Sequence, residues 1–467
     1  MKRSYEFVAQ QWRQGTDTDL LVLASCSAVA VWLGWAMVPV ALAVGVVRRR
    51  AMVGVLCVAV AVVGAVDGRY AWAHAVPRQL GPFIGRALVV LDPVAVRGGV
   101  RVTLQIHGER FDTFLAGARF ANLAQATAGD LAWVSGVRSG LGANRRRSQE
   151  RHVVGRLRLE SCSEVIPGSP LARAGNRVRA AVRRAGNLSM QSDDAALYSG
   201  LVLGDDGREP SWLVDVFRSS GLSHLTAVSG QNVAFLLAAV APMLRRLRPW
   251  WRWSATVALV AWFMALTRFE PSVLRAGVMA MLAATAFVIG RTASPVRLVA
   301  VAVLVLVLVD PMLVWTVGFW LSVGATLGVS GVSPWLARRL PGAPWWRAAL
   351  AVTLGAQAGV ALPSVLVFHR LPVVSVPANL AAVPVAGLVM LYGLPAGLVG
   401  GVLPGIGARM VMWPAAVGTR WVSTVARLSA RLEPSARWEV AGWVVICLVL
   451  ALVCHNGSRR AVSDVPI

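Results

Sequence analysis

The run Leu20–Val47 limits what this chain can become, because it holds no charged side chain and stops abruptly at Arg48-Arg49-Arg50. At about 1.5 Å of rise per residue, such a helix is longer than one crossing of a bilayer core. Pro39 interrupts it, so it is either a tight hairpin with both basic ends on one side or one long tilted helix. Ala51–Val66 then leads away from the triple arginine. Across 467 residues, 56% are hydrophobic and 15% charged, more apolar surface than a soluble core can hide. The expected class is a polytopic α-helical membrane protein.

Residues 1–18 are polar, and Lys2, Arg3 and Arg13 mark a cytoplasmic start. Residues 19–67 form the N-terminal spans. The composition changes over 90–165. Val100–Ile106, Asp130–Arg138 and His152–Glu160 alternate polar with apolar residues, which indicates strands of a small extracytoplasmic β domain, with a five-stranded OB-type barrel as its expected form. Segment 168–190 is basic, rich in small residues and amphipathic. From 195 to 418 the apolar runs resume, with Ala195–Gly204 short enough to be re-entrant or surface-lying. A last span is expected at 436–454, before a polar tail at 455–467. The basic breaks at 245–252, 291–297, 338–347 and 420–431 share the cytoplasmic side. Glu270, Asp310 and Arg370 fall on the outer side.

The formal net charge of +24 comes almost wholly from arginine, since Lys2 is the only lysine. A P-loop needs Gly-Lys-Ser/Thr, so the chain has no such engine. The cysteines have neither metal-ligand nor disulfide-framework spacing. No cofactor and no metal site are expected. Arg145, Arg146, Arg147, Arg151, Arg156 and Arg158 crowd the later β domain, and Arg173, Arg177, Arg179, Arg183 and Arg184 follow. A long exported segment escapes the positive-inside rule, so this charge points to a phosphate backbone or to anionic headgroups. Phe111, Phe114, Phe120 and Trp133 are core residues or a stacking platform for bases.

Ser219–Phe235 carries His224, Thr226, Ser229, Gln231 and Asn232 into an apolar run, with Gly221 and Gly230 allowing a turn, a broken helix or close backbone approach. Polar groups in hydrocarbon must face a bundle interior or a water-filled path. Ser229 and Asn232 are either hydrogen-bond glue between helices or path lining. Arg275 either pairs with Glu270 or Asp310 or meets passing phosphates. Gln357 and Asn379 are packing or pore residues. His224 with Ser229 lacks an orienting third residue, so no catalytic site is assigned.

This stretch resembles the signature of the ComEC competence-channel family, "GLSHLLAVSGLHVG". Leu201–Asp205 resembles its "LLGD", Phe269–Ala276 its "PSVLRA", and Asp310-Pro311 with Val317–Ser322 its "DP…GFQLS". Gln357–Val365 and Val376–Pro384 resemble its "AQ…P" and "NLLAVP" elements. The resemblance implies a multi-pass, non-enzymatic channel of the bacterial cytoplasmic membrane that admits single-stranded DNA during natural transformation. Its path would be lined by His224, Ser229, Gln231, Asn232, Arg275, Gln357 and Asn379. It also implies an extracytoplasmic DNA receptor and a cytoplasmic helicase or recombination protein as partners, and it leaves self-association into a homo-oligomer open. Asn232 stands where the family has histidine, which argues against a metal or proton role there. A C-terminal metallo-β-lactamase-like domain is expected to be lacking. A small-solute transporter and a membrane scaffold are the alternatives.

Overall fold

The computed structural model describes residues 2–463 except 49–50, 97, 118–119, 143–144, 206, 208, 227–229, 270, 291–292 and 435; for 2–16, 271, 436–437 and 453–463 it describes the backbone alone. Helix α1 (Lys2–Leu33) ends in a 3-10 turn at Gly34–Ala36, where Gly34 takes φ +63°, and α2 (Met37–Val47) turns back. Arg48 Nη1 lies 3.5 Å from Asp19 Oδ1, so the two ends of the apolar run meet and the run is a hairpin. Helix α3 (Ala51–Ala73) packs against both arms.

Six strands follow: β1 (Gly81–Val89), β2 (Val94–Val96), β3 (Gly99–Ile106), β4 (Glu109–Leu115), β5 (Leu131–Gly140) and β6 (Val153–Ile166). The order is β1-β5-β6-β4-β3-β2, and a further β1–β3 pairing closes five of them into a ring, with β4–β6 parallel. Short helices α4 (Ala121–Ala124) and α5 (Arg145–Gln149) flank β5. The core holds Phe83, Val102, Leu104, Phe111, Leu123, Val134 and Leu157. The domain therefore begins at Gly81, ahead of the expected boundary at 90. In β1 the burial alternates, but the sequence Gly-Pro-Phe-Ile-Gly-Arg-Ala-Leu-Val shows no matching alternation of polarity.

The chain is helical from there on. Ser169 caps α6 (Pro170–Ser189) by accepting a hydrogen bond from the Ala172 N–H, with Pro170 in the first turn, where its missing N–H costs nothing. Helix α7 (Ser192–Leu203) ends on Gly204 in the left-handed region (φ +69°). It is not surface-lying. Asp194, Ala195 and every residue from Leu197 to Leu203 are buried, because α6, α17 and α18 surround it.

The signature stretch is broken into α8 (Ser211–Ser219), a turn at Gly221, α9 (Ser223–Thr226) and α10 (Gly230–Leu244). Then come α11 (Pro249–Leu266), α12 (Pro271–Val288), α13 (Pro295–Val309), a 3-10 turn at Pro311–Trp315, α14 (Val317–Gly331) and α15 (Ser333–Arg339). Helices α16 (Pro344–Phe368), α17 (Ser375–Val402), α18 (Gly405–Leu432) and α19 (Ala436–Ser463) complete the chain. Backbone contact at Gly324–Gly359 and Gly328–Gly355 lets α14 and α16 approach closely, the small-residue packing typical of helices in lipid.

Among the described residues, five stretches are long and apolar enough to cross a membrane: Asp17–Val47, Ala51–Ala73, Val317–Arg339, Pro344–Phe368 and Ser375–Val402. Helix α18 runs well past the expected end at 418. The basic break at 420–431 is helical, with Arg420 3.0 Å from Asp194 and Arg427 4.0 Å from Asp193.

Two apolar clusters organise the helices. One joins α6, α7, α8, α10, α11, α17 and α18 through residues such as Tyr198, Phe217, Phe263 and Met412. The other joins α1, α13 and α14 through Val31, Val303, Leu313 and Phe319. Helix α12 lies between them, and its Leu274 packs against both.

Candidate functional site

The signature turn has a physical reason for each glycine. Gly221 has φ +71°, and a Cβ there would fall 2.5 Å from Ser375 Cβ at the start of α17. A Cβ on Gly230 would lie 2.9 Å from Ala276 Cβ on α12. Bare backbone thus seats the broken segment against two distant helices.

Ser375, which sequence reasoning did not single out, is the hub of one side. Gln357 Nε2 donates to Ser375 Oγ at 3.0 Å, and Asn379 Nδ2 donates to the Ser375 carbonyl at 2.6 Å. Its only sequence signal is its place four residues before Asn379, one helical turn away. On the other side Asn232 Nδ2 donates to the Leu201 carbonyl of α7 at 3.1 Å. The segments around Leu201, Gly221, Asn232, Arg275, Gln357 and Asn379, far apart in sequence, therefore meet in one region.

Their states differ. Asn232 and Asn379 are buried, Gln357 is half-buried, and His224 and Gln231 are exposed. Ser229 and Glu270 lie outside the described residues. Asp310 is paired with His152 of the β domain at 2.9 Å. Arg275 is 1% exposed, with its guanidinium carbon 5.8 Å from the Phe319 ring centroid. Among the described residues, its Nη1 and Nη2 have no hydrogen-bond partner.

The arginines of the β domain do not form one patch. Arg156 and Arg158 stand on the open face of the sheet, opposite Ser139 and Val137. Arg156 stacks over Phe114 at 5.7 Å, and Trp133 sits between Arg86 on β1 and Glu164 on β6. Phe114 is 54% exposed and Trp133 46%, whereas Phe111 is fully buried and Phe120 packs on the core. Arg151 is held by Asp112 at 3.1 Å. Arg145, Arg146 and Arg147 lie elsewhere, next to the helices, with Arg146 6.0 Å from the Trp315 ring. Trp315 also touches Trp32 and Trp72.

Not all the charge of α6 awaits an outside anion. Arg179 and Arg183 reach Asp92 at 3.2 and 3.0 Å, and Arg183 Nε lies 2.7 Å from Asp205. Arg179 Nη1 also donates to the carbonyls of Leu203 and Leu266, at 3.0 and 2.9 Å. Arg268, at φ +60°, adds a contact to Asp92 at 3.2 Å and one to Asn176 at 2.6 Å. Burial alone would raise the Asp92 carboxyl. The guanidiniums of Arg179, Arg268 and Arg183, with the Ala128 N–H, overcome it and hold the group down at about 2. This clasp escaped the sequence reading because Asp92 is a lone acid in a loop between strands.

No three His, Cys, Asp or Glu side chains among the described residues are grouped to hold a metal ion. The fold and these contacts define a helical protein with candidate membrane-spanning helices, a β domain fixed to them, and a polar seam inside the helical region. The family model of the competence proteins matches residues 201–459, and the chain belongs to that family. It is similar to ComE operon protein 3 of Bacillus subtilis (strain 168), at 26% identity over 219 residues, 45% of this chain and 27% of that relative. The match thus spans about a quarter of the relative's length. No solved structure matches.

Proposed function

We propose that this protein is a multi-pass channel of the bacterial cytoplasmic membrane that takes up single-stranded DNA during natural transformation. Family membership supports a role in competence. The observation that carries the channel reading is the convergence of the family-like segments at Ser375, Asn232 and Arg275. The outer domain is read as OB-type, supported by its closed five-strand ring with one parallel pair. Its exposed Phe114 and Trp133, beside Arg86, Arg156 and Arg158, would stack bases and neutralise phosphates.

The path would use His224, Ser229, Gln231, Asn232, Arg275, Gln357 and Asn379. In the arrangement described, Asn232 and Gln357 bond across helices and so act as closures that must let go, while Asn379 bonds back to the Ser375 carbonyl within α17. The role is transport, not catalysis. An outer DNA receptor and an inner helicase or recombination protein would supply capture and pull. Uptake of labelled DNA by a deletion strain complemented with this chain tests the reading. No uptake from a correctly inserted protein rejects it.

A further inference from the structure

We propose that Arg275 is a latent binding site for a phosphate-class oxyanion, opened when α12 and α14 part. The inference rests on the channel reading only for its natural ligand, a phosphodiester. Arg275 heads the fully buried side chains ranked by volume, yet among the described residues its two terminal nitrogens bond to nothing. Phe319 offers a ring face at 5.8 Å, a weak attraction for the guanidinium. Taking an ion out of water costs far more than one ring contact returns, so the ring does not offset it.

The same chain shows what a structural buried arginine looks like. Arg179, 3% exposed, has two carbonyls and two carboxylates around it. Filling space at position 275 would be served better by methionine, so a charge with no partner on its two terminal nitrogens among the described residues calls for a ligand absent from the closed arrangement. Place and chemistry name the ligand class. The adjacent Leu274 joins the two helix clusters, so Arg275 sits on the seam where they would separate. A planar guanidinium with both Nη atoms open matches two oxygens of a tetrahedral phosphate.

The test is thermal unfolding of the full chain in maltoside micelles, which hold no phosphate, in sodium phosphate against sodium chloride at matched ionic strength. Wild type should gain about 1–2 °C from phosphate at roughly tenfold its dissociation constant. Arg275→Met should gain nothing from phosphate and unfold in chloride at or above the wild-type temperature. Phe319→Ala should respond at lower phosphate, because the open form is more populated. The idea is overturned by any of three results: no phosphate-specific gain in wild type, an equal gain in Arg275→Met, or a marked loss of stability in Arg275→Met in chloride. Adding oligothymidylate or phosphatidylglycerol in place of phosphate tells a nucleic-acid phosphate from a headgroup; either supports the site, and only the first supports the strand as ligand. A phosphate gain in a chain that takes up no DNA keeps the site and rejects the channel.

Discussion

Arg179 of α6 and Asp92 of the β domain form an ion pair at 3.2 Å, and the Arg179 side chain is only 4% exposed. The pair joins the barrel to the helices, and Arg179 also ties down the carbonyl ends of α7 and α11. Removing one partner leaves a buried charge alone, so Arg179→Met and Asp92→Asn should each destabilise the protein by about 3–5 kcal/mol. Unfolding of the purified full chain measures this.

The same pair sets a pH dependence. The folded Asp92 carboxyl is held at about 2, below its unfolded value, so its contribution is complete above the unfolded value. It fades as pH falls from about 4 through 2, by roughly 2 kcal/mol in all. Asp92→Asn should flatten that part of the stability profile. An unchanged acid limb would show that other carboxylates govern it.

Gly221→Ala should be severe, because it meets both a positive φ and Ser375 at 2.5 Å. A loss of about 2 kcal/mol or more is expected. Gly318→Ala on α14 is the control, with open space around its added methyl. It should be neutral or gain up to about 1 kcal/mol of helix propensity. Equal behaviour of the two variants would refute the seating of the signature turn.

Binding of oligothymidylate to the full chain should depend on the open sheet face. Trp133→Ala or Phe114→Ala should cost about 1–3 kcal/mol, and Arg156→Gln should lower the salt slope by about 0.7. Replacing Arg145, Arg146 and Arg147 by Gln, beside Trp315 and away from that face, should matter less. The reverse ranking would move the nucleic-acid surface to the junction.

Asn232→Leu separates path from packing. Losing the bond to the Leu201 carbonyl should cost about 1–3 kcal/mol. On the channel reading DNA uptake also falls in cells that still insert the variant. Full uptake would make Asn232 packing alone.

Much of the plan could be read in the residues, and the gaps have identifiable causes. β3, β5 and β6 announced themselves through alternation. β4 did not, because Asp112 and Thr113 are buried on opposite faces and polarity there no longer reports burial. The amphipathic pattern of α6 was visible, but its buried face includes Arg179, which hydropathy assigns to solvent. Only the fold brings Asp92 to it. Gly221 was legible as a turn, while its partner Ser375 is defined by the return of α17.

The links between barrel and helices are short: seven residues separate α3 from β1, and three separate β6 from α6. With the Asp92 clasp, they leave the β domain no leash. It cannot sweep the surroundings for a polymer end, and whatever it grips must be brought to it. On the channel reading, the Trp133 face then keeps its place relative to α6, and a strand would be fed along a fixed track.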